Sequence, residues 1–165
     1  MSGKPAKSVE FLSHNPDQTR KLGIQLGRLL QIGDMICLQG ELGAGKTTFV
    51  QGLASGWGSR DPVTSPTFVL VNVYHRKDGK QFFHFDTYRL ETIPEAEELD
   101  LEGMLGEGPL VIEWPEKIQK ILPVERLWIK LEDREDDLRQ LTFSPVGNHY
   151  ASLLSEYNQM AFGSG

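Results

Sequence analysis

The stretch Gly40-Glu41-Leu42-Gly43-Ala44-Gly45-Lys46-Thr47-Thr48 carries the most specific chemistry in this chain. It satisfies the spacing G-x-x-x-x-G-K-[ST] through Gly40, Gly45, Lys46 and Thr47, and each residue type has a physical reason. Glycines let the backbone curl so that successive N–H groups point at phosphate oxygens, and a helix that starts there adds a favourable field. Gly43 and Ala44 keep the tip of the loop free of bulk. Lys46 supplies a flexible point charge for the β- and γ-phosphates, and the Thr47 hydroxyl is a magnesium ligand by type. Glu41 to Thr48 are therefore expected to surround the phosphates of a nucleoside triphosphate.

A magnesium ion held against a triphosphate also needs a carboxylate, ordinarily at the end of an apolar strand beside the loop. Asp86 follows Phe82-Phe83-His84-Phe85 and Glu113 follows Leu110-Val111-Ile112. Both positions suit the ion, and pattern alone does not decide which holds it and which orients water. The hydroxyl-rich turn Thr64-Ser65-Pro66-Thr67 reads either as a switch that orders around a triphosphate or as an ordinary turn before a strand. His84 and Tyr88 flank Asp86 and read as core rather than as supporting groups, and Trp114 reads by type as a packing residue. Arg89 fits an in-cis positive group or a surface ion pair.

These residues need elements to position them. Met35 to Gln39 is a short apolar run opened by Gly33-Asp34, the signature of a strand buried on both faces, and it leads straight into the glycine loop. A helix follows through Thr47 to Ala54 and stops in Gly56-Trp57-Gly58-Ser59. Upstream, Asn15-Pro16-Asp17-Gln18 combines an N-cap, a first-turn proline and a capping-box glutamine, and the spacing predicts a helix to about Gln31 with Leu22, Leu26, Leu29 and Leu30 on one stripe. Val9 to Leu12 fits a short edge strand. Thr67 to His75 and Lys80 to Asp86 read as a hairpin closed at Asp78-Gly79. Pro94 opens an acidic helix, Pro109 to Glu113 is a second buried strand, Leu127 to Glu132 pairs with Leu138 to Phe143, and a last helix covers residues 148 to 160. The sum is an α/β fold, a P-loop NTPase-like three-layer sandwich with a mixed sheet, parallel near the loop and antiparallel elsewhere.

At 165 residues the chain fits a single domain, with residues 1–7 and 161–165 expected to be loose ends. A formal charge of −6 argues against a broad basic surface that would grip nucleic acid directly. Acids far outnumber bases between residues 91 and 137, as in a solvated helix face or an acidic docking surface. No apolar run is long enough to span a membrane and the N-terminus lacks a signal-peptide core, so a cytoplasmic location is expected. The single cysteine, Cys37, reads as a buried core residue.

No Asn-Lys-x-Asp segment for guanine recognition is present, which disfavours GTP. A small-molecule or nucleoside kinase shares the loop, yet the arginines are scattered and no lid-sized insertion is seen. An adaptor that binds ATP as a signal and hydrolyses it poorly without a partner suits the sparse equipment better. Four blocks then sharpen the reading: the loop itself, Thr64-Ser65-Pro66-Thr67-Phe68, His84-Phe85-Asp86-Thr87-Tyr88-Arg89-Leu90 and Ile112-Glu113-Trp114-Pro115-Glu116-Lys117. In this order and spacing the chain resembles the TsaE (YjeE) family, small bacterial ATPases of tRNA threonylcarbamoyladenosine synthesis; Pro115 departs from the Ser or Ala of many relatives.

The resemblance implies that Lys46 and Thr47 serve phosphate and magnesium, that Asp86 is the Walker B-type carboxylate and that Thr64 to Thr67 act as a switch. It also implies that Glu113 and Trp114 work beside the nucleotide. ATP or ADP with magnesium would be the ligands. TsaB and TsaD would be the partners, with tRNA engaged only through their complex and TsaD performing the transfer.

Overall fold

The computed structural model describes residues 7–41, 45–63, 71–88 and 99–163. One seven-stranded sheet organises them, made of β1 (Val9–Ser13), β2 (Met35–Gln39), β3 (Val71–His75), β4 (Gln81–Asp86), β5 (Leu110–Glu113), β6 (Arg126–Asp133) and β7 (Arg139–Val146). Their order across the sheet is β1-β7-β6-β2-β5-β4-β3. β4, β5, β2 and β6 run parallel in the middle, while β3 on one side and β7 and β1 on the other are antiparallel. This is the mixed sheet expected from the sequence, with β1 at one edge.

The central strands are apolar on both faces because both faces are covered. Ile36 and Leu38 point to a cluster shared with Leu26 of α1 (Pro16–Gly27), Phe49, Val50 and Leu53 of α2 (Lys46–Trp57), and Leu153, Leu154 and Tyr157 of α4 (Asn148–Gly163). Met35 and Cys37 point the other way, to Phe83, Phe85, Leu110, Ile112, Ile118 and Leu122, beside the short α3 (Leu101–Leu105). Three layers result. Cys37 is fully buried, and desolvation pushes its thiol up to about 12, so it behaves as a small core residue.

α1 starts where its capping residues dictate: the Asn15 side chain accepts from the Gln18 N–H at 2.9 Å, and Gln18 Oε1 accepts from the His14 N–H at 2.7 Å. Its α-helical bonding ends at Gly27 rather than near Gln31. The chain tightens there into i→i+3 turns, Leu29 N–H to Leu26 C=O and Leu30 N–H to Gly27 C=O, which still carry Leu29 and Leu30 onto the core. α1 and α2 pack with glycines in contact. A Cβ on Gly27 would lie 2.1 Å from the Leu53 carbonyl oxygen, and one on Gly56 would lie 2.0 Å from that of Ile24. The helices have room to approach only because those side chains are missing.

The hairpin turn is as expected, with the Gly79 N–H bonded to the Arg76 C=O at 2.9 Å and Gly79 at φ 85°. α4 runs on to Gly163, beyond the expected end at residue 160, because Ala161 still packs against the main apolar cluster. The acidic helix expected from Pro94 and the strand residues Thr67 to Leu70 lie outside the described residues. Among the described residues no helix is long and apolar enough to cross a membrane.

Candidate functional site

The parallel strands β4, β5, β2 and β6 bring their carboxyl ends to one edge of the sheet, where open α/β folds place ligands. β2 ends at Gln39 and gives way to the glycine loop; Gly40 is buried, Glu41 is exposed, and Leu42, Gly43 and Ala44 lie outside the described residues. Gly45 caps α2 with φ 97°, a left-handed conformation that any side chain would strain, and its carbonyl accepts the first helical bond, from Phe49, at 2.9 Å. Helical N–H groups without intrahelical partners are thereby turned toward the strand ends. Thr47 and Thr48, on the first turn, are half-buried.

Register brings the carboxylates together. Asp86 is the β4 partner of Glu113 on β5, and Glu113 in turn pairs with Leu38 on β2, one residue before the loop-side end of that strand. Strand side chains alternate, so Phe82, His84 and Asp86 share a face, and Phe82 on that face packs in the cluster beneath α2. Lys46 enters from the same side. The residue is 5% exposed, and among the described residues its buried Nζ has no hydrogen-bond partner. Burial pushes the Lys46 pKa down, opposed by the charges of Glu113, Asp86 and Glu116. The ammonium sits 3.8 Å from the centre of the Trp114 ring, a cation–π contact.

Trp114 reaches that position through an unusual backbone, φ 58° and ψ 47°, left-handed for a bulky residue. Its neighbours hold it: the Trp114 N–H donates to Leu38 C=O at 3.3 Å, and the buried Thr87 hydroxyl donates to the carbonyls of Glu113 (3.1 Å) and Trp114 (2.5 Å). The ring of Tyr88 packs at 5.0 Å from that of Trp114, and Lys117 Nζ donates to the Tyr88 carbonyl at 2.5 Å. Trp114 is thus no ordinary packing residue: it is half-exposed and aimed at the loop lysine.

The two carboxylates have different surroundings. Asp86 is half-buried; desolvation is the main cause of its raised pKa, and the Glu113 charge adds to it against the Tyr88 N–H that Asp86 Oδ1 accepts at 2.9 Å. Glu113 is only 5% exposed and its Oε2 lies 2.5 Å from His84 Nε2. His84 is fully buried, with Nδ1 2.8 Å from the Tyr74 hydroxyl. His84 is core by burial, as the sequence suggests, yet it touches the site directly. Tyr74 is the residue that sequence reading missed. A polar pair at alternate positions of an apolar strand, His84 and Asp86, is the signal that the face they share is not simple core.

Two clefts flank the loop. One, of about 490 Å³, is walled by Glu41, Trp114, Glu116, Lys130, Glu132 and Asp133. The other, of about 440 Å³, runs beside Gly45 and Thr48 between His14, Asn15, Asp137 and Arg139. Among the described residues no three His, Cys, Asp or Glu side chains form a metal cage. Thr64, Ser65, Pro66, Thr67 and Arg89 lie outside the described residues.

The family described as "Threonylcarbamoyl adenosine biosynthesis protein TsaE" matches residues 13–141. The tRNA threonylcarbamoyladenosine biosynthesis protein TsaE of Bacillus subtilis is 38% identical over 155 residues, 93% of this chain and 96% of the relative. Its Streptomyces coelicolor counterpart is 41% identical over 139 residues, covering 81% and 94%. The crystal structure of Bacillus subtilis YdiB superposes with a TM-score of 0.79 at 33% identity, over 94% of this chain and 97% of that one, so the P-loop architecture is shared. The chain belongs to the TsaE family, a family of tRNA threonylcarbamoyladenosine biosynthesis.

Proposed function

We propose that this protein binds ATP and ADP with magnesium at the loop from Gly40 to Thr48 and hydrolyses ATP in support of a TsaB–TsaD complex that forms threonylcarbamoyladenosine on tRNA. The observation that carries the reading is the buried Lys46 ammonium, which has no hydrogen-bond partner among the described residues, next to the N-terminus of α2 and within the field of the carboxylates of Glu113, Asp86 and Glu116. A buried ammonium short of hydrogen-bond acceptors is costly, and a triphosphate supplies acceptors.

The residues fit magnesium by donor chemistry: the Thr47 hydroxyl and the Asp86 carboxylate are the hard oxygen ligands such an ion takes, with Glu113 at one remove. A desolvated Asp86 whose pKa is raised is a carboxylate that gains from a cation. When bound, magnesium would neutralise charge on the β- and γ-phosphate oxygens. Lys46 binds the same oxygens from the loop side. Glu113, held at one oxygen by His84, orients the attacking water. Trp114 shields the ammonium and excludes bulk water from one side.

A chain with formal charge −6 acts through protein partners rather than by gripping tRNA. The test is magnesium-dependent phosphate release with and without TsaB, TsaD and tRNA. Slow release alone and acceleration by the complex is the expected result; rapid phosphoryl transfer to a small hydroxyl acceptor without the partners would make it a kinase instead.

A further inference from the structure

Glu113 poses a problem that its neighbours solve. A carboxylate 5% exposed needs hydrogen-bond donors. Among the described residues the side chain receives one, from His84 Nε2 at 2.5 Å on Oε2. An ionised carboxylate only accepts, so Nε2 carries a hydrogen, and in the neutral imidazole Nδ1 is then the acceptor of the Tyr74 O–H at 2.8 Å. Tyr74 and His84 are 3% and 0% exposed, and Tyr74 lies on β3, two strands away from Glu113. The result is a buried chain of hydrogen bonds that runs across the sheet, from edge strand to site.

We propose that His84 and Tyr74 are positioning residues for the ATPase reaction: Tyr74 fixes the tautomer and plane of His84, and His84 pins one oxygen of Glu113 so that the other faces the nucleotide. This assignment rests on the reading of Glu113 as the water-orienting group and adds the device that aims it. The geometry favours it over simple core satisfaction. A buried histidine that needed only a partner is satisfied by any backbone carbonyl, whereas this one is bonded at both ring nitrogens, on one side to the carboxylate that closes β5 at the loop. Fixing one oxygen of a carboxylate fixes the direction of the other, and misaiming a reacting group by about 1 Å costs on the order of 100-fold.

The test uses the full chain with its partner proteins and reads kcat, KM for ATP, the ADP dissociation constant and the thermal midpoint for each variant. His84→Leu removes the donor to Glu113; kcat is expected to fall about 10- to 100-fold, with KM and ADP affinity within about twofold. In His84→Gln the amide nitrogen takes the place of Nε2, and kcat is expected to recover to within about fivefold of the parent. Tyr74→Phe is expected to lower kcat by a smaller factor. In the His84→Leu/Glu113→Gln double variant, kcat is expected to be no lower than in Glu113→Gln alone, since both act through one group. Equal losses in His84→Leu and His84→Gln, multiplicative losses in the double variant, or KM and ADP affinity collapsing with kcat would overturn the proposal and leave His84 as core. If His84→Leu fails to fold, His84→Gln and Tyr74→Phe decide: unaltered kcat in Tyr74→Phe together with lost kcat in folded His84→Gln would overturn it. The Glu113→Gln variant separates the two levels, because full turnover there would remove the role of Glu113 itself.

Discussion

The two ends of α2's environment contrast sharply. Along its flank, Gly52 and Gly56 meet Gly23 and Gly27 of α1 so closely that a Cβ on any of the four would fall 2.0–2.4 Å from a backbone oxygen. At its N-terminus, the same helix presents a buried ammonium, without a hydrogen-bond partner among the described residues, to a carboxylate whose pKa is raised by desolvation. The flank is satisfied and has no slack. At the N-terminus, the Lys46 Nζ has no hydrogen-bond partner among the described residues. The contrast shows where stability and function are separated in this fold: the seam fixes α2 against α1, and the strand ends keep polar groups in a state that a ligand relieves.

Substitutions in the two regions should therefore have opposite signatures. The largest expected effect is at the loop: Lys46→Ala should reduce ATP turnover on the order of 1000-fold, measured by phosphate release, while the thermal midpoint of the nucleotide-free protein stays the same or rises. Loss of stability in parallel with turnover would erase the contrast. On the seam, Gly56→Ala should destabilise by about 2 kcal/mol in urea unfolding, even though Ala is the better helix former by about 1 kcal/mol. A stabilised variant would mean that the helices have room to part.

A smaller, pH-dependent effect is expected at Asp86. Its folded pKa lies above the ordinary 3.8, so above the folded value the native state carries a carboxylate it disfavours, and stability is lost as pH rises through that window. Asp86→Asn removes the penalty. The variant should be more stable than the parent at neutral pH without nucleotide, and the difference should shrink as pH falls and vanish below about 4; a gap that widens in acid would reverse the assignment. Magnesium-dependent turnover should be lost in the same variant. The smallest effect is at Cys37, whose thiol at about 12 in the core should not react with a thiol reagent until the protein is unfolded in urea.

Local patterns made much of this fold legible. The run Met35 to Gln39, the Asn15 cap, the Asp78-Gly79 turn and the pairing of β6 with β7 all depend on near neighbours in sequence. The glycines of the helix seam were harder to read. α2 stops at Trp57 with Gly58 as its cap, inside the expected Gly56–Ser59 segment, but a helix-interior glycine and a helix-ending glycine look alike until the partner helix is known, and Gly56 lies within the helix against α1. The end of α1 was misplaced for a related reason: the leucine periodicity continues through an i→i+3 turn that no longer is α-helix.

At the site, Lys46, Asp86 and Glu113 were legible because the motif and the strand ends announce them. The link from Tyr74 through His84 to Glu113 was not, since it depends on the lateral order of β3, β4 and β5 in the sheet. Trp114 was legible only through family resemblance; its left-handed backbone, which turns the ring over Lys46, leaves no mark in composition or periodicity.

The most direct test of the account is calorimetric titration of the nucleotide-free protein with ATP and magnesium, alongside the Lys46→Ala variant under the same conditions. The account predicts one saturable site in the parent and its loss in the folded variant. Equal binding by the two proteins, or none by the parent, would contradict it.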